Sequence, residues 1–320
     1  MAIRIGIDVG ATKTKIIMIT KKGEVVARTK IPTASDRVPE PIVERSAAAV
    51  EDLIRAHGLR PSRVEAMAVG ICGFLNPRTG IIDLSPNLHW HKVPFKKLME
   101  KRLGRTVYMA NDVNAAAWGE FTYGAGRGSK DLVAIFIGSG IGGGIVINGK
   151  LVEGGTGSAG EVGHMTFRVN GLKCDCGQKG CFEAYGGGMP MERRMRRAVK
   201  RGMSPRVLKM ARGEINRINT RVIRKAAEAG DSLAGRIWRE AEESLGTLCS
   251  NLTSLLNPDR LVIGGGVLAG NPGLLRVIRD TVRSRAITIS ARHVEVVKSE
   301  LGDDAVAMGA AALVDLYRRS

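Results

Sequence analysis

The chain has no uncharged apolar run of the roughly 18–20 residues that a membrane-spanning helix requires, so a helical span is excluded. It also lacks a secretory leader. In the opening MAIRIGIDVG, Arg4 and Asp8 interrupt any apolar core, and no small-residue cleavage site follows. Both absences point to the cytoplasm. Cysteine is scarce, five in 320 residues, and cytoplasmic thiols stay reduced, so a disulfide framework is not expected. Low-complexity linkers are absent too. Yet 320 residues exceed a usual domain of about 100–200 and imply two lobes. Acidic residues are outnumbered, 31 against 49 Lys and Arg, for a formal net charge of +18. Such a surplus raises nucleic acid as a partner. It peaks over residues 191–225, where thirteen basic side chains face only Glu192 and Glu214, a local net of +11. Against nucleic acid, MERRMRRAVKRG spaces Met191, Met195 and Val199 at i, i+4 and i+8 with arginines between them. That is the pattern of a solvated amphipathic helix.

Along the chain, IRIGIDVGATKTKIIMITKKGEVVART reads as strand, glycine turn, strand, KKGE turn and strand. PIVERSAAAVEDLIRAHG reads as a helix ending at Gly58, VEAMAVGICG as a buried strand, VPFKKLMEKRLG as a short helix and RTVYMAND as a strand. The opening unit then recurs: DLVAIFIGSGIGGGIVINGKLVEGG is again strand, glycine turn and strand, closed by an NG hairpin. The recurrence at residues 3–19 and 132–152 implies two similar α/β lobes. Helices dominate 191–257, RLVIGGG is a strand, and DDAVAMGAAALVDLYRRS closes the chain as a helix.

Gly138, Gly140 and Gly143 satisfy G-x-G-x-x-G, with Glu161 about twenty residues on. That dinucleotide motif works only where a helix follows, whose N-terminus holds the pyrophosphate. A β-hairpin follows here, so the match is spurious. Glycine turns can nonetheless bring backbone N–H groups close to a phosphate. DVGATKTK adds the hydroxyls of Thr12 and Thr14 and the charge of Lys13, so two such turns, one per lobe, can grip one polyphosphate. A third cluster, Gly264, Gly265 and Gly266, ends a strand where a nucleoside can lie flat against backbone. Asn111 and Asp112 stand at the C-terminal end of a strand, where open α/β sheets place ligands. An aspartate there either caps the following helix or serves phosphoryl transfer, which needs a carboxylate to take the hydroxyl proton and a divalent cation beside the phosphates.

These residues carry a resemblance. GIDVGATKTK, NLHWHKVPFKKL, VYMANDVNAAAWGE, FIGSGIGGGIVINGKLVEGGTGSAGEVGHM, CDCGQKGCFEAYGGG and LVIGGGVLAG run in the order of the ROK family (repressors, open reading frames, kinases) of the actin-like ATPase superfamily. The chain most resembles its ATP-dependent sugar kinases of glucokinase type. The resemblance implies a two-lobed, ribonuclease H-like α/β fold with an inter-lobe cleft. Residues 1–111, joined by the C-terminal helix 305–320, would form one lobe and residues 112–304 the other. It places Asp8, Gly10, Thr12 and Lys13 in a first phosphate loop, Gly138, Gly140 and Gly142 in a second, and Gly264 and Gly265 at the nucleoside. Asp112 becomes the general base, with Asn87, Asn111, Asp112, Glu161, His164 and Glu183 around the sugar. ATP and Mg²⁺ are implied, as is a homodimer or homotetramer. Three departures stand out: Ala11 replaces a glycine of the first loop, GICGFLNPRTG carries Cys72 where the family has proline and is one residue shorter, and Ile3 already begins the first strand. The last places the chain with the kinases rather than the DNA-binding repressors.

Cys174, Cys176 and Cys181, with His164, supply the two ligand types of a closed tetrahedral Zn²⁺ site, and Gly177 and Gly180 permit the tight turns a chelating knuckle needs. Cys72 and Cys249 read as buried apolar residues. The proposed metal ligands alternate in sequence with Glu161 and Glu183, so a structural zinc would order the sugar site without entering the chemistry. The reading is a hexose kinase making glucose 6-phosphate. Other acceptors (fructose, allose, N-acetylglucosamine, N-acetylmannosamine) and a non-catalytic sugar sensor are the alternatives.

Overall fold

Isoleucine and valine alternate through IRIGIDV, so one face of this segment is branched and apolar while the other carries Arg4 and Gly6. In the computed structural model, which describes residues 2–33 and 38–318, the segment is strand β1 (Ile3–Val9). With β2 (Lys13–Thr20) and β3 (Val25–Pro32) it forms an antiparallel meander. Helix α1 (Glu40–Ala56) leads to β4 (Val64–Ile71), which lies parallel to β1. Residues 74–92, to which the sequence assigns no element, form with Val93, expected in the following helix, a small antiparallel sheet of β5 (Phe74–Asn76), β6 (Ile81–Ser85) and β7 (Trp90–Val93). Strands of three to five residues are too short for a two-residue period to stand out. Helix α2 (Phe95–Leu103) and strand β8 (Val107–Asn111) complete a sheet of order β3-β2-β1-β4-β8, and α3 (Asp112–Tyr123) begins directly after it.

The second sheet repeats the first. Strands β9 (Leu132–Ile137), β10 (Ile141–Ile147), β11 (Lys150–Leu151), β12 (Arg260–Gly264) and β13 (Glu295–Lys298) take the order β11-β10-β9-β12-β13, again with an antiparallel hairpin on one side and parallel strands on the other. Asn148 and Gly149, at φ of 52° and 69°, close the β10–β11 hairpin as a two-residue turn, the geometry that Asn-Gly favours. Helices α4 (Phe182–Gly186), α5 (Gly188–Lys200), α6 (Pro205–Met210), α7 (Thr220–Glu228) and α8 (Ser232–Leu256) precede β12. After it come α9 (Gly266–Gly270), α10 (Leu274–Arg285), α11 (Thr288–His293) and the closing α12 (Ala305–Tyr317). Val133, Ile135, Leu261 and Ile263 of this sheet join the buried faces of α5, α7, α8 and α10 in one core.

The chain forms two compact units, residues 1–129, 144–160 and 300–320, and residues 130–143 and 161–299. The division expected at residue 111 differs: α3 and the 144–160 segment group with the first unit. The reason is packing. On one face of the first sheet, Ile3, Ile5, Ile7 and Val9 meet residues of α1 and α2. The other face is lined by small residues, Gly6, Ala66, Ala68 and Ala110, against which α12 and α3 lie closely. Arg4 on that face is 1% exposed and clamps Asp315 of α12 through two hydrogen bonds of 2.8 and 2.6 Å. A Cβ on Gly309 would stand 1.7 Å from the Ala115 carbonyl oxygen, and one on Gly119 would stand 2.7 Å from the Ala305 carbonyl oxygen. Neither backbone can yield unless α3 and α12 separate. Gly309→Ala is therefore expected to cost about 3 kcal/mol and roughly 6–12 °C in Tm. Gly273→Ala is the control, since nothing lies within 4 Å of its Cβ position. Equal Tm values for the two variants in thermal unfolding would refute the close approach.

Candidate functional site

In the first unit, β1 delivers Asp8 to the start of a turn in which the Gly10 N–H donates to the Lys13 carbonyl (3.2 Å) and the side chains of Thr12 and Lys13 are exposed. At the end of β8, Asn111 rather than Asp112 caps α3. Its Oδ1 accepts from the N–H groups of Val113 (2.9 Å) and Asn114 (3.1 Å), and its Nδ2 donates to the Gly73 carbonyl (3.2 Å). With the cap supplied, Asp112 sits in the first helical turn, its Oδ1 accepting from the Val113 N–H at 2.9 Å. No partner engages its Oδ2 among the described residues. Burial lifts the Asp112 carboxyl above the usual carboxylate range. Asp8 is lifted to about 7, first by burial and then by the Asp112 charge, with Lys15 pulling it back. Lys15 escapes the sequence reading. It is only 9% exposed, stands opposite Asp8 in the β1–β2 register, pairs with Asp304 at 3.0 Å and donates to the Asp303 carbonyl. A lysine set within the apolar run of β2 was the available signal. Burial and Asp112 together push the Cys72 thiol up to about 11.

These shifts set a pH dependence. Between about pH 4, where an unfolded aspartate titrates, and about 7, the folded chain keeps a proton on Asp8 that the unfolded chain has lost. Stability falls as pH rises through that window, because there the folded state binds more protons. Asp112 acts in the same direction. The Tm of the nucleotide-free, Mg²⁺-free protein is thus expected to fall between about pH 5 and 7.5, and Asp8→Asn to flatten that fall. Parallel Tm profiles for the two proteins would exclude Asp8 as the titrating group.

In the second unit, the ligand atoms of His164, Cys174, Cys176 and Cys181 all lie within 4.8 Å of one another. Cys174 Sγ is 3.7 Å from His164 Nδ1, and Cys176 Sγ is 3.7 Å from Cys181 Sγ. Tetrahedral zinc with Zn–S bonds of about 2.3 Å separates two sulfurs by about 3.8 Å. A disulfide requires about 2.05 Å. The four residues therefore fit a tetrahedral metal. Gly177 and Gly180, at φ of 94° and 84°, turn the chain back between the cysteines.

The carboxylates proposed for the sugar lie against this knuckle. Glu161 is 3.8 Å from His164 Nε2. Glu183 Oε1 is 3.8 Å from Cys174 Sγ, while its Oε2 accepts from the Ile141 N–H at 2.8 Å. The same oxygen would lie 2.2 Å from a Cβ on Gly140, so glycine there lets the carboxylate reach the second glycine turn. That turn is held further by Gly188 N–H to the Gly138 carbonyl (3.0 Å) and Met189 N–H to the Ser139 carbonyl (2.9 Å). Gly142 lies in β10, and the strand after G-x-G-x-x-G offers no helix N-terminus to a pyrophosphate. Gly264 ends β12 against the Phe136 ring, and Gly265, at φ of 93°, opens into α9. Asn87 is exposed on the turn between β6 and β7. Thus Asp8, Asn111 and Asp112 gather in the first unit, and Glu161, His164, Glu183 and the three cysteines in the second. In the basic stretch, Met191, Met195 and Val199 are buried beneath α5, Arg194 pairs with Glu240, and Arg196 bonds Glu192 and the Ile218 carbonyl. Among the described residues no helix is long and apolar enough to cross a membrane.

The chain is 33% identical over 316 residues to a glucokinase of Streptomyces coelicolor, covering 98% of each protein. It is 28% identical over 310 residues to a xylose repressor of Caldicellulosiruptor bescii, covering 97% of this chain and 77% of the repressor. The crystal structure of a ROK family glucokinase from Streptomyces griseus in complex with glucose and AMPPNP matches with a TM-score of 0.81 at 33% identity, over 100% of both chains. The fold is that two-lobed α/β fold of the actin-like ATPases. Residues 4–316 match the ROK family, and the chain belongs to it.

Proposed function

We propose that the chain is an ATP-dependent hexose kinase that phosphorylates glucose at its 6-hydroxyl. The observation that carries this reading is Asp112: Asn111 takes the capping role, which leaves a carboxylate oxygen unengaged at the carboxyl end of a sheet strand. In the transfer, the bond between the γ-phosphorus and the ADP oxygen breaks, a bond from that phosphorus to the sugar oxygen forms, and the hydroxyl proton passes to Asp112. Raised affinity for that proton brings the base nearer the operating pH. The glycine turns at 10–12 and 138–140 hold phosphates through backbone N–H groups, and Gly264 and Gly265 face the nucleoside. Asp8, within the electrostatic reach of Asp112 and Asp303, is the carboxylate suited to a hard cation such as Mg²⁺, which offsets phosphate charge. Asn87, Asn111, Glu161, His164 and Glu183 orient the sugar. His164, Cys174, Cys176 and Cys181 hold a structural zinc, whose four protein ligands leave no place for a reacting oxygen. The primary alcohol is the least hindered acceptor. The reaction runs in the cytoplasm.

The test is a coupled ADP-release assay across glucose, mannose, fructose, allose, N-acetylglucosamine and N-acetylmannosamine. Turnover with glucose is expected. Turnover confined to N-acetylated sugars would move the chain to the amino-sugar kinases. Sugar binding with no ADP release from any sugar would make it a sensor, the reading that likeness to a repressor keeps in view.

A further inference from the structure

Beside the knuckle, on the side of α5, lies a cavity of about 530 Å³, within the size range of small-molecule sites. Its walls include Lys173, Asp175, Arg193, Arg194 and Arg197, with Cys174 of the metal set between them. Four cations thus face one carboxylate. Arg193 and Arg197 are one helical turn apart on α5, a spacing at which like charges repel. Asp175 answers Arg193 at 2.9 Å, and Glu240 answers Arg194 from outside the cavity. Among the described residues no carboxylate pairs with Lys173 or Arg197, and Arg194 Nη1 is buried with no hydrogen-bond partner. A concave wall of one sign focuses its field into the cavity and concentrates counter-ions there. Guanidinium groups present paired N–H donors that match phosphate oxygens.

We propose that this cavity is a binding site for the phosphate group of a small metabolite. The site is separate from the glycine turns and does not depend on the kinase reading. It is wired to the knuckle in one way. Asp175 stands between Cys174 and Cys176, and a phosphate that takes Arg193 releases Asp175 from its ion pair. Occupancy therefore changes the load on the segment that carries two metal ligands and abuts Glu183.

Inorganic phosphate and glucose 6-phosphate are titrated calorimetrically at constant ionic strength into the zinc-loaded chain and its variants. The wild type is expected to bind at least one of them. Lys173→Ser with Arg197→Ser should weaken that binding tenfold or more, and Asp175→Asn, which frees Arg193, should tighten it about threefold. Glu228→Gln, a charge change outside the cavity, should leave it unaltered. If the double variant loses its fold by circular dichroism, Arg197→Ser alone, on the exposed side of α5, carries the test. A preference for glucose 6-phosphate identifies a phosphate ester as the ligand, and equal affinities identify phosphate itself. Equal binding by wild type and the folded serine variant, or no binding of either probe by the wild type, overturns the proposal.

Discussion

Asp112→Asn is expected to lower kcat by about 10²–10⁴-fold while sugar affinity changes little and stability near neutral pH does not fall. The substitution keeps shape and polarity, and an amide oxygen can accept from the Val113 N–H as Oδ1 does at 2.9 Å. The end of α3 does not depend on Asp112, since Asn111 satisfies the Val113 and Asn114 N–H groups. What the amide cannot do is take the hydroxyl proton. A loss of turnover without a loss of fold therefore isolates the chemical role. Coupled ADP release, sugar titration and thermal unfolding on one preparation separate the three quantities. A variant that keeps more than about half of the wild-type kcat would remove Asp112 from the role of base.

Much of this was legible in the sequence for identifiable reasons. Alternation in IRIGIDV and the NG turn at Asn148-Gly149 are local signals, and both yield the expected elements. The run of small residues in AMAVG and MGAAAL reads as strand and helix, but its use as a close-packed seam depends on elements about 240 residues apart. Glu120 shows why distant partners escape such a reading. It sits in the helix WGEFTY, is fully buried, and accepts from the backbone N–H groups of Ala125 (2.9 Å), Glu300 (3.2 Å) and Leu301 (2.9 Å). Nothing local announces that residues 300 and 301 arrive there. The cysteine cluster is different, because CDCGQKGC holds three of its four side chains within eight residues. Chain distance also separates that knuckle from the glycine turn at 138–140 and the start of β10, whereas in the fold Glu183 touches both.

For the proposed zinc site, that contact determines what loss of the metal should do. Cys176→Ser removes the one exposed ligand of the set, leaving Cys174 and Cys181 buried, so metal content should fall with less disturbance of packing than loss of a buried cysteine. Glu161 and Glu183 are then left to orient themselves without the clamp, and the sugar KM is expected to rise about tenfold or more, the usual scale for lost outer support. Sequence spacing alone implies that the sugar KM suffers more than the nucleotide KM. The hydrogen bond of Glu183 to the Ile141 N–H adds a route to the nucleotide, because a knuckle that shifts Glu183 withdraws support from the second glycine turn. One charge-assisted hydrogen bond contributes about 1.5–3 kcal/mol. Partial loss of it should raise the nucleotide KM about fivefold, less than the effect on the sugar. Glu183→Gln separates the two routes. Its amide oxygen can still accept from Ile141, so the nucleotide KM should hold while the sugar KM rises. Zinc analysis beside titrations of both substrates decides the matter. A zinc-free Cys176→Ser protein with an unchanged sugar KM would show that the knuckle does not order the sugar site. An unchanged nucleotide KM with a raised sugar KM would show that the Glu183–Ile141 bond outlasts the metal.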